Sequence, residues 1–367
     1  MISVDKSTNI LKEKLRNWSF SFLGLATLIL ITSCNSNEAN NSSSFRYEIM
    51  GEAQGTTYNI VYYSDNARIQ KNQVDSILDE VDLAGSVWVP HSVISQVNKA
   101  SLSKFVIPTQ SNTYFEDNFK LCKEVYVNTN GAFNPTVGAL VNAWGFGFKN
   151  RENMDSTKVD SLLQTVGFSD LDFNLVKTDT GLIILKSNPL TNLDYNGIAQ
   201  GYSVDVLGEY FKKKGVSNFM IEVGGELLAN GHKPNGDFWK IGIDEPLSEN
   251  LGRKLKATIK LDGLAVATSG NYRKFYEKDG VRYAHTLNPE TGFPVQHSLL
   301  SVTVVMSNCG LADAYATSFM VMGMEKAQNL IESKPELEIE AYFIYSNNKS
   351  NLTTYYTSGL NKIISEL

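Results

Sequence analysis

Apolar and polar positions alternate with a period of two in YNIVYY (58–63), LIILK (182–186) and LSVTVVM (300–306), which predicts strands there. Helical spacing of apolar residues covers 73–84, 112–129, 201–214 and 312–323. Strands and helices interleave irregularly rather than as regular βαβ units, so the pattern predicts an α+β protein with mixed or antiparallel sheets and flanking helices. Between Phe45 and Leu367 there is no internal repeat, heptad seam or linker, and no shift of composition marks a cut. One domain is therefore expected for 46–367.

The N-terminus follows another pattern. Lys6, Lys12, Lys14 and Arg16 precede the apolar run FLGLATLILI (22–31), and Thr32, Ser33 and Cys34 follow it. That run is short for a bilayer span of about 20 residues, but it fits a basic n-region, an apolar h-region and a small-residue cleavage site. ITSC resembles a bacterial lipobox, in which Cys34 becomes the lipidated first residue after cleavage. An uncleaved anchor and an ordinary signal peptide are the other readings. NSNEANNSSS (35–44) reads as a polar tether. The expected organisation is a signal peptide at 1–33, a tether at 34–45 and a folded domain at 46–367 anchored to a membrane outside the cytoplasm. Beyond Cys34 only Cys122 and Cys309 remain, so one disulfide is possible, none is required, and no cysteine cluster suggests zinc.

Composition narrows the functional classes. The chain has 367 residues, 42% hydrophobic and 20% charged, with a formal net charge of −6. A large core is affordable, and the charge balance with no basic stripe argues against nucleic acid as partner. Neither GxGxxG nor GxxxxGK[ST] occurs, so neither of those phosphate-binding loops is signalled. Glycine and polar residues concentrate instead in five places: MGEAQGTTYNIVYY, GAFNPTVGALVNAWGFG, DYNGIAQGYSVD, EVGGELLANG leading into WKIGIDEP, and a C-terminal group of VATSGNY, HTLNPETGFP and NCGLADAYATSFMVMG.

In the last of these Asp313 opens a run that is apolar or aromatic except for Thr317 and Ser318. A carboxylate in such a helix is costly unless something pairs with it. Asp313 and Thr317 are four apart and share a helix face, which suits a hard cation such as Mg²⁺. The other reading places Asp313 in the first turn after Gly310, where the helix dipole favours a carboxylate. Asp194 and Asp205 could likewise be helix caps, and Gly224-Gly225 a bulge or close approach. Four histidines, at 91, 232, 285 and 297, are too few for a histidine-rich metal site. His285 stands after an expected strand, either at a site edge or as the anchor of the NPETG turn.

These segments, with SVISQVN (92–98) and in this order, resemble the bacterial ApbE-type FAD:protein FMN transferases from about Tyr47 to the C-terminus. The resemblance implies an α+β, T-fold-like catalytic domain that binds FAD in a cleft with Mg²⁺ at its diphosphate. It further implies attachment of FMN through a phosphoester bond to a threonine of a target protein, such as a subunit of a membrane redox complex, with release of AMP. By motif, Asp313, Thr317 and the backbone carbonyl near Gly197 match the magnesium ligands. Met50, Trp88, Ala132, Phe133, Asn134, Asp194, Gln200 and Leu287 match the flavin-binding pattern, and Thr268, Ser269 and Gly270 match the diphosphate region. Asn134 replaces the usual Asp and Gln200 the usual Lys, so two charge-assisted contacts are lost. His285 is the candidate general base and Asp194 the runner-up. An Mg²⁺-dependent FAD pyrophosphatase and an extracytoplasmic FAD-binding protein are the rival functions.

Overall fold

The computed structural model describes residues 44–66, 68–100, 103–108, 113–147, 151–179, 181–246, 254–271, 275–278, 281–347 and 351–367. Cys34, the signal segment and the turn at 279–280 lie outside them.

The first half of the chain forms β1 (Phe45–Ala53), β2 (Thr56–Ser64), α1 (Lys71–Gly85), α2 (Val93–Lys99), β3 (Lys104–Pro108), α3 (Thr113–Asn128), α4 (Gly138–Ala143) and α5 (Ser156–Leu163). Next come β4 (Phe173–Thr178), β5 (Gly181–Lys186), α6 (Ala199–Lys213), β6 (Asn218–Val223), β7 (Glu226–Asn230), β8 (Trp239–Asp244), β9 (Leu255–Leu261) and β10 (Leu264–Gly270). The rest is β11 (Phe275–Lys278), β12 (Val281–Ala284), β13 (Leu299–Met306), α7 (Cys309–Met322), α8 (Met324–Ser333), β14 (Glu340–Ser346), β15 (Leu352–Tyr356) and β16 (Ile364–Glu366).

An eight-stranded sheet runs β1-β2-β6-β7-β10-β13-β14-β15, and each neighbouring pair in it is antiparallel. Alternation along its strands sorts side chains to two covered faces. Ile60, Tyr62, Leu228, Ala265, Ala267, Val304 and Phe343 turn to the helices. Val61, Leu227, Ala229, Val266, Val305 and Tyr342 turn the other way, onto the small sheet β16-β9-β8 with its Trp239, Ile243, Ile259 and Leu261. Burial on both faces explains why even Ser301 and Thr303, the polar positions of the alternation in β13, are buried, unlike those of a strand with one solvated face.

Helix α7 is buried along most of its length, which accounts for an apolar composition all round. It begins at Cys309, three residues before the start predicted from spacing, and Asn308 caps it by accepting from the Leu311 N–H at 2.7 Å. The Asp205 carboxylate accepts from the Cys309 and Gly310 amides, each at 2.8 Å. Asp205 is thus a cap, reached from a neighbouring helix, and burial raises its carboxyl to about 6 against the pull of both amides. Asp313 lies beyond that first turn, so an end-of-helix dipole does not account for it. Cys122 and Cys309 are both buried and both free thiols.

Helix α6 buries Val204, Leu207 and Phe211 against the sheet and stops at Gly215, whose φ of +77° lets the Val216 amide reach back to the Phe211 carbonyl. The GG pair of EVGGELLANG is a two-residue hairpin turn, with φ of +66° and +109°. No helix among the described residues is long and apolar enough to cross a membrane.

Candidate active site

Glycine at 201 lets α6 and α7 approach closely. A Cβ there would meet the Cys309 carbonyl oxygen at 2.4 Å and the Asp313 Cβ at 2.9 Å. The Gly201 amide donates to Asp313 Oδ2 at 3.3 Å, a long bond for an ionised acceptor. Asp313 is only 7% exposed, and burial pushes its carboxyl up to about 7. No cation stands against it among the described ion pairs.

One turn further along α7, Thr317 meets two other segments. Its Oγ1 lies 3.5 Å from Ser269 Oγ on β10, and 3.4 Å from where a Cβ on Gly197 would be. The same Gly197 position lies 3.3 Å from the Phe133 ring. The segments GAFN, DYNG, VATSG and LADAYAT, remote in sequence, therefore close on one point.

The approach to Gly197 is pinned from behind. Asn98 donates to the Leu193 carbonyl at 2.8 Å and accepts from the Leu193 amide at 2.7 Å. Buried Lys186 donates to the carbonyls of Val97, Ala100, Pro189 and Thr191 at 3.0–3.4 Å, and burial lowers its pKa. The Asp194 amide then donates to the Pro135 carbonyl at 2.6 Å, and Asp194 Oδ1 accepts from the Asn196 amide at 2.8 Å. Burial raises the Asp194 carboxyl. Asn134 Oδ1 accepts from both the amide and the hydroxyl of Thr136, at 2.9 and 2.6 Å. An amide oxygen thus keeps both acceptor contacts of this turn, though as neutral rather than charge-assisted bonds. Gln200 packs over the hairpin turn of β6 and β7, where a Cβ on Gly224 would lie 2.8 Å from its carboxamide.

His285 follows β12 and lies edge-on to Phe146, with ring centroids 6.4 Å apart. The next residue, Thr286, donates to Asn271 Oδ1 at 2.7 Å, tying this segment to the end of β10 just past Gly270. The Trp144 indole donates to the Gly292 carbonyl at 2.8 Å, so the AWGFG and NPETGFP segments pack as one piece.

Four matched positions lie apart from this point. Thr268 turns to the opposite face of β10 from Ser269 and bonds Thr303 Oγ1 at 2.8 Å, so its side chain does not face Thr317. Leu287 is buried with Leu140, Trp144 and Val159 in a satellite core, and its backbone forms an isolated antiparallel bridge with Pro294, so its side chain does not line an open surface. Met50 on edge strand β1 and Trp88 after α1 are 61% and 57% exposed, large apolar surface of the kind a planar ligand covers. A groove of about 500 Å³ includes Ala132, with Gly131, Asn288 and Pro289, but none of Asp313, Thr317 and Gly197.

One residue escaped the sequence reading. Glu226, the first residue of β7, is 8% exposed, and its Oε2 is buried without a hydrogen-bond partner. Its carboxyl is raised well above the ordinary range, by burial first and by the charge of Asp313 second. The motif that carries it was singled out for its glycines, and nothing local marks the glutamate as buried.

The donors near Asp313 are oxygens from carboxylate, hydroxyl and backbone. Among the described residues, no three His, Cys, Asp or Glu side chains form a metal-binding group. Under-compensated buried carboxylates beside hydroxyl and backbone oxygens fit a hard divalent cation that completes its shell with water or phosphate.

The sequence profile of the ApbE family matches residues 54–343. This chain belongs to the ApbE family. It is 33% identical over 326 residues to the FAD:protein FMN transferase of Vibrio cholerae, covering 87% of this chain and 91% of that one. The Haemophilus influenzae FAD:protein FMN transferase is likewise 33% identical over 296 residues, with 77% and 83% covered. Among solved ApbE structures, the Vibrio cholerae flavin transferase superimposes with a TM-score of 0.75 at 30% identity, over 87% of this chain and 99% of that one. The apo flavinyl transferase of Pseudomonas stutzeri gives the same TM-score at 29% identity, over 87% and 97%. The α+β architecture is thus the ApbE one, and the converging segments are those whose order carried the resemblance.

Proposed function

We propose that this chain is a FAD:protein FMN transferase that moves FMN from FAD onto a threonine hydroxyl of a target protein, using Mg²⁺ and releasing AMP. The observation that carries this reading is the closure of Gly197, Ser269 and Thr317 on one point next to the under-compensated Asp313, in a member of a family whose relatives bear that activity.

Phosphoryl chemistry asks a protein mainly for positioning and charge neutralisation. Asp313, Thr317 and the Gly197 carbonyl would hold the cation, and Mg²⁺ there would neutralise charge on the FAD diphosphate. Ser269 and the Gly270 backbone would flank the diphosphate, and the exposed Met50 and Trp88 would cover the flavin, whereas Phe133 is buried in the core and would only support the Gly197 segment from behind. The acceptor Oγ attacks the phosphorus on the FMN side, its proton passes to the His285 imidazole, and the bond from that phosphorus to the AMP oxygen breaks.

The test incubates the full-length protein with FAD, Mg²⁺ and a candidate flavin-carrying subunit, then analyses denatured acceptor. Transfer predicts flavin retained on the acceptor with the mass of FMN, lost when its threonine is replaced. FMN and AMP released at equal rates with or without acceptor would make the chain a pyrophosphatase, and retained FAD without AMP a storage protein.

The lipobox-like ITSC and the polar tether after it support a membrane-anchored enzyme outside the cytoplasm, within reach of membrane-bound acceptors. Cys34→Ala is expected to leave the precursor unprocessed or release the protein from membranes. Mature-size Cys34→Ala protein still pelleting with membranes would overturn lipidation at this residue.

A further inference from the structure

We propose that Glu226 is a second carboxylate ligand of the cation site, turning its unpaired Oε2 to the ion that Asp313 and Thr317 hold. The inference rests on the Mg²⁺ reading above and adds to the ligand set that the motifs imply.

The placement follows from three contacts. Cys309 and Asp313 are four apart on α7 and so share one face of it. The Cys309 thiol donates to the Leu227 carbonyl at 3.5 Å, which sets that face against the start of β7. Glu226 precedes Leu227, and its side chain shares a face of the strand with Leu228, which packs among the helix-facing residues. On the other side, the turn before Glu226 is covered by Gln200, whose neighbour Gly201 donates to Asp313. Glu226 therefore enters the junction of α6, α7 and β7 that Asp313 enters from the helix.

The chemistry of that junction calls for a cation. Glu226 is more than nine-tenths buried, and the Oε2 atom has no donor. Asp313 has one long amide contact. Position 200, which covers the turn before Glu226, is Gln, so no ammonium from that position offsets the two carboxylates. Two carboxylates and one divalent ion form a neutral set, whereas one carboxylate leaves the ion dependent on the diphosphate for its second negative charge. Glu226 thus lets the site take up its ion before FAD arrives.

The experiment titrates Mn²⁺ into the full-length protein, without and with FAD, and reads free Mn²⁺ by electron paramagnetic resonance. Wild type is expected to bind one Mn²⁺ without FAD. Glu226→Gln should lose about 10- to 100-fold in affinity without FAD, by analogy with disrupted metal shells, and recover part of it with FAD. Asp313→Asn should lose binding in both conditions. A Glu226→Gln curve that superimposes on wild type while Asp313→Asn loses binding overturns the role of Glu226 and leaves the Mg²⁺ reading intact. Wild type that binds no Mn²⁺ even with FAD overturns both. Circular dichroism checks folding. Should Glu226→Gln not fold, Glu226→Asp decides, since it keeps the charge but withdraws it by one methylene. Weakened binding by that folded variant supports the proposal, and unchanged binding overturns it.

Discussion

Asp313→Asn is expected to yield a folded protein whose flavin turnover falls about a thousandfold and no longer responds to Mg²⁺, the scale set by losing several kcal/mol of charge stabilisation. The substitution keeps the shape of the side chain and the acceptor for the Gly201 amide, and removes the buried charge. Its pH signature is separate from activity. Burial holds the Asp313 carboxyl up to about 7, whereas in the unfolded chain it titrates near 4. Between those values the folded state binds more protons, so the metal-free wild type loses stability as pH rises from about 4 to about 7 and levels off above. Asp82, raised to about 6 by burial, and Asp205, raised to about 6, act in the same direction. Asp313→Asn should therefore shrink this slope without abolishing it, and Mg²⁺ should flatten it in wild type only. Since the ion needs the ionised carboxylate, its affinity should weaken as pH falls below about 7. Equal Mg²⁺ titrations for the two proteins, with unchanged turnover, would sink the assignment.

The second large effect is expected at His285. Removing the imidazole in His285→Ala should leave FAD affinity nearly unchanged while slowing transfer by about 10²- to 10⁴-fold, the usual contribution of a general base. Wild-type transfer should fall on the acid side as the imidazole protonates, and the variant should lack that limb. The backbone here is held by Thr286 on Asn271 and by Trp144 on Gly292, so the variant is expected to keep the local fold. Stopped-flow transfer and equilibrium FAD titration separate the two quantities. Lost FAD binding with a normal transfer step would make His285 a cofactor-lining residue instead.

Much of this was legible along the chain. Alternation located β2, β5 and β13, and helical spacing located α1, α3, α6 and α7 to within a few residues. Ends were harder, because α7 takes its cap partly from Asp205, 104 residues away in sequence from Cys309. Motif order named the segments that converge on Gly197 and Thr317, and the four-residue spacing of Asp313 and Thr317 put both on one helix face.

Other features existed only once the layers had packed. Adjacent Thr268 and Ser269 read as one diphosphate-binding stretch, yet the pleat sends them to opposite faces of the sheet. Leu287 matches a flavin-lining segment by resemblance, but its side chain fills a core shared with α4 and α5. Lys186 looked like the polar end of a strand and is the buried clamp behind Asp194. Glu226 sat unremarked beside its glycines. Periodicity is imposed by local backbone geometry, so sequence alone determined the elements and the faces they carry. Burial and charge compensation depend on which distant surfaces meet, and here only the closure of α6 and α7 on the start of β7 decided that Asp313 and Glu226 are both buried at one junction.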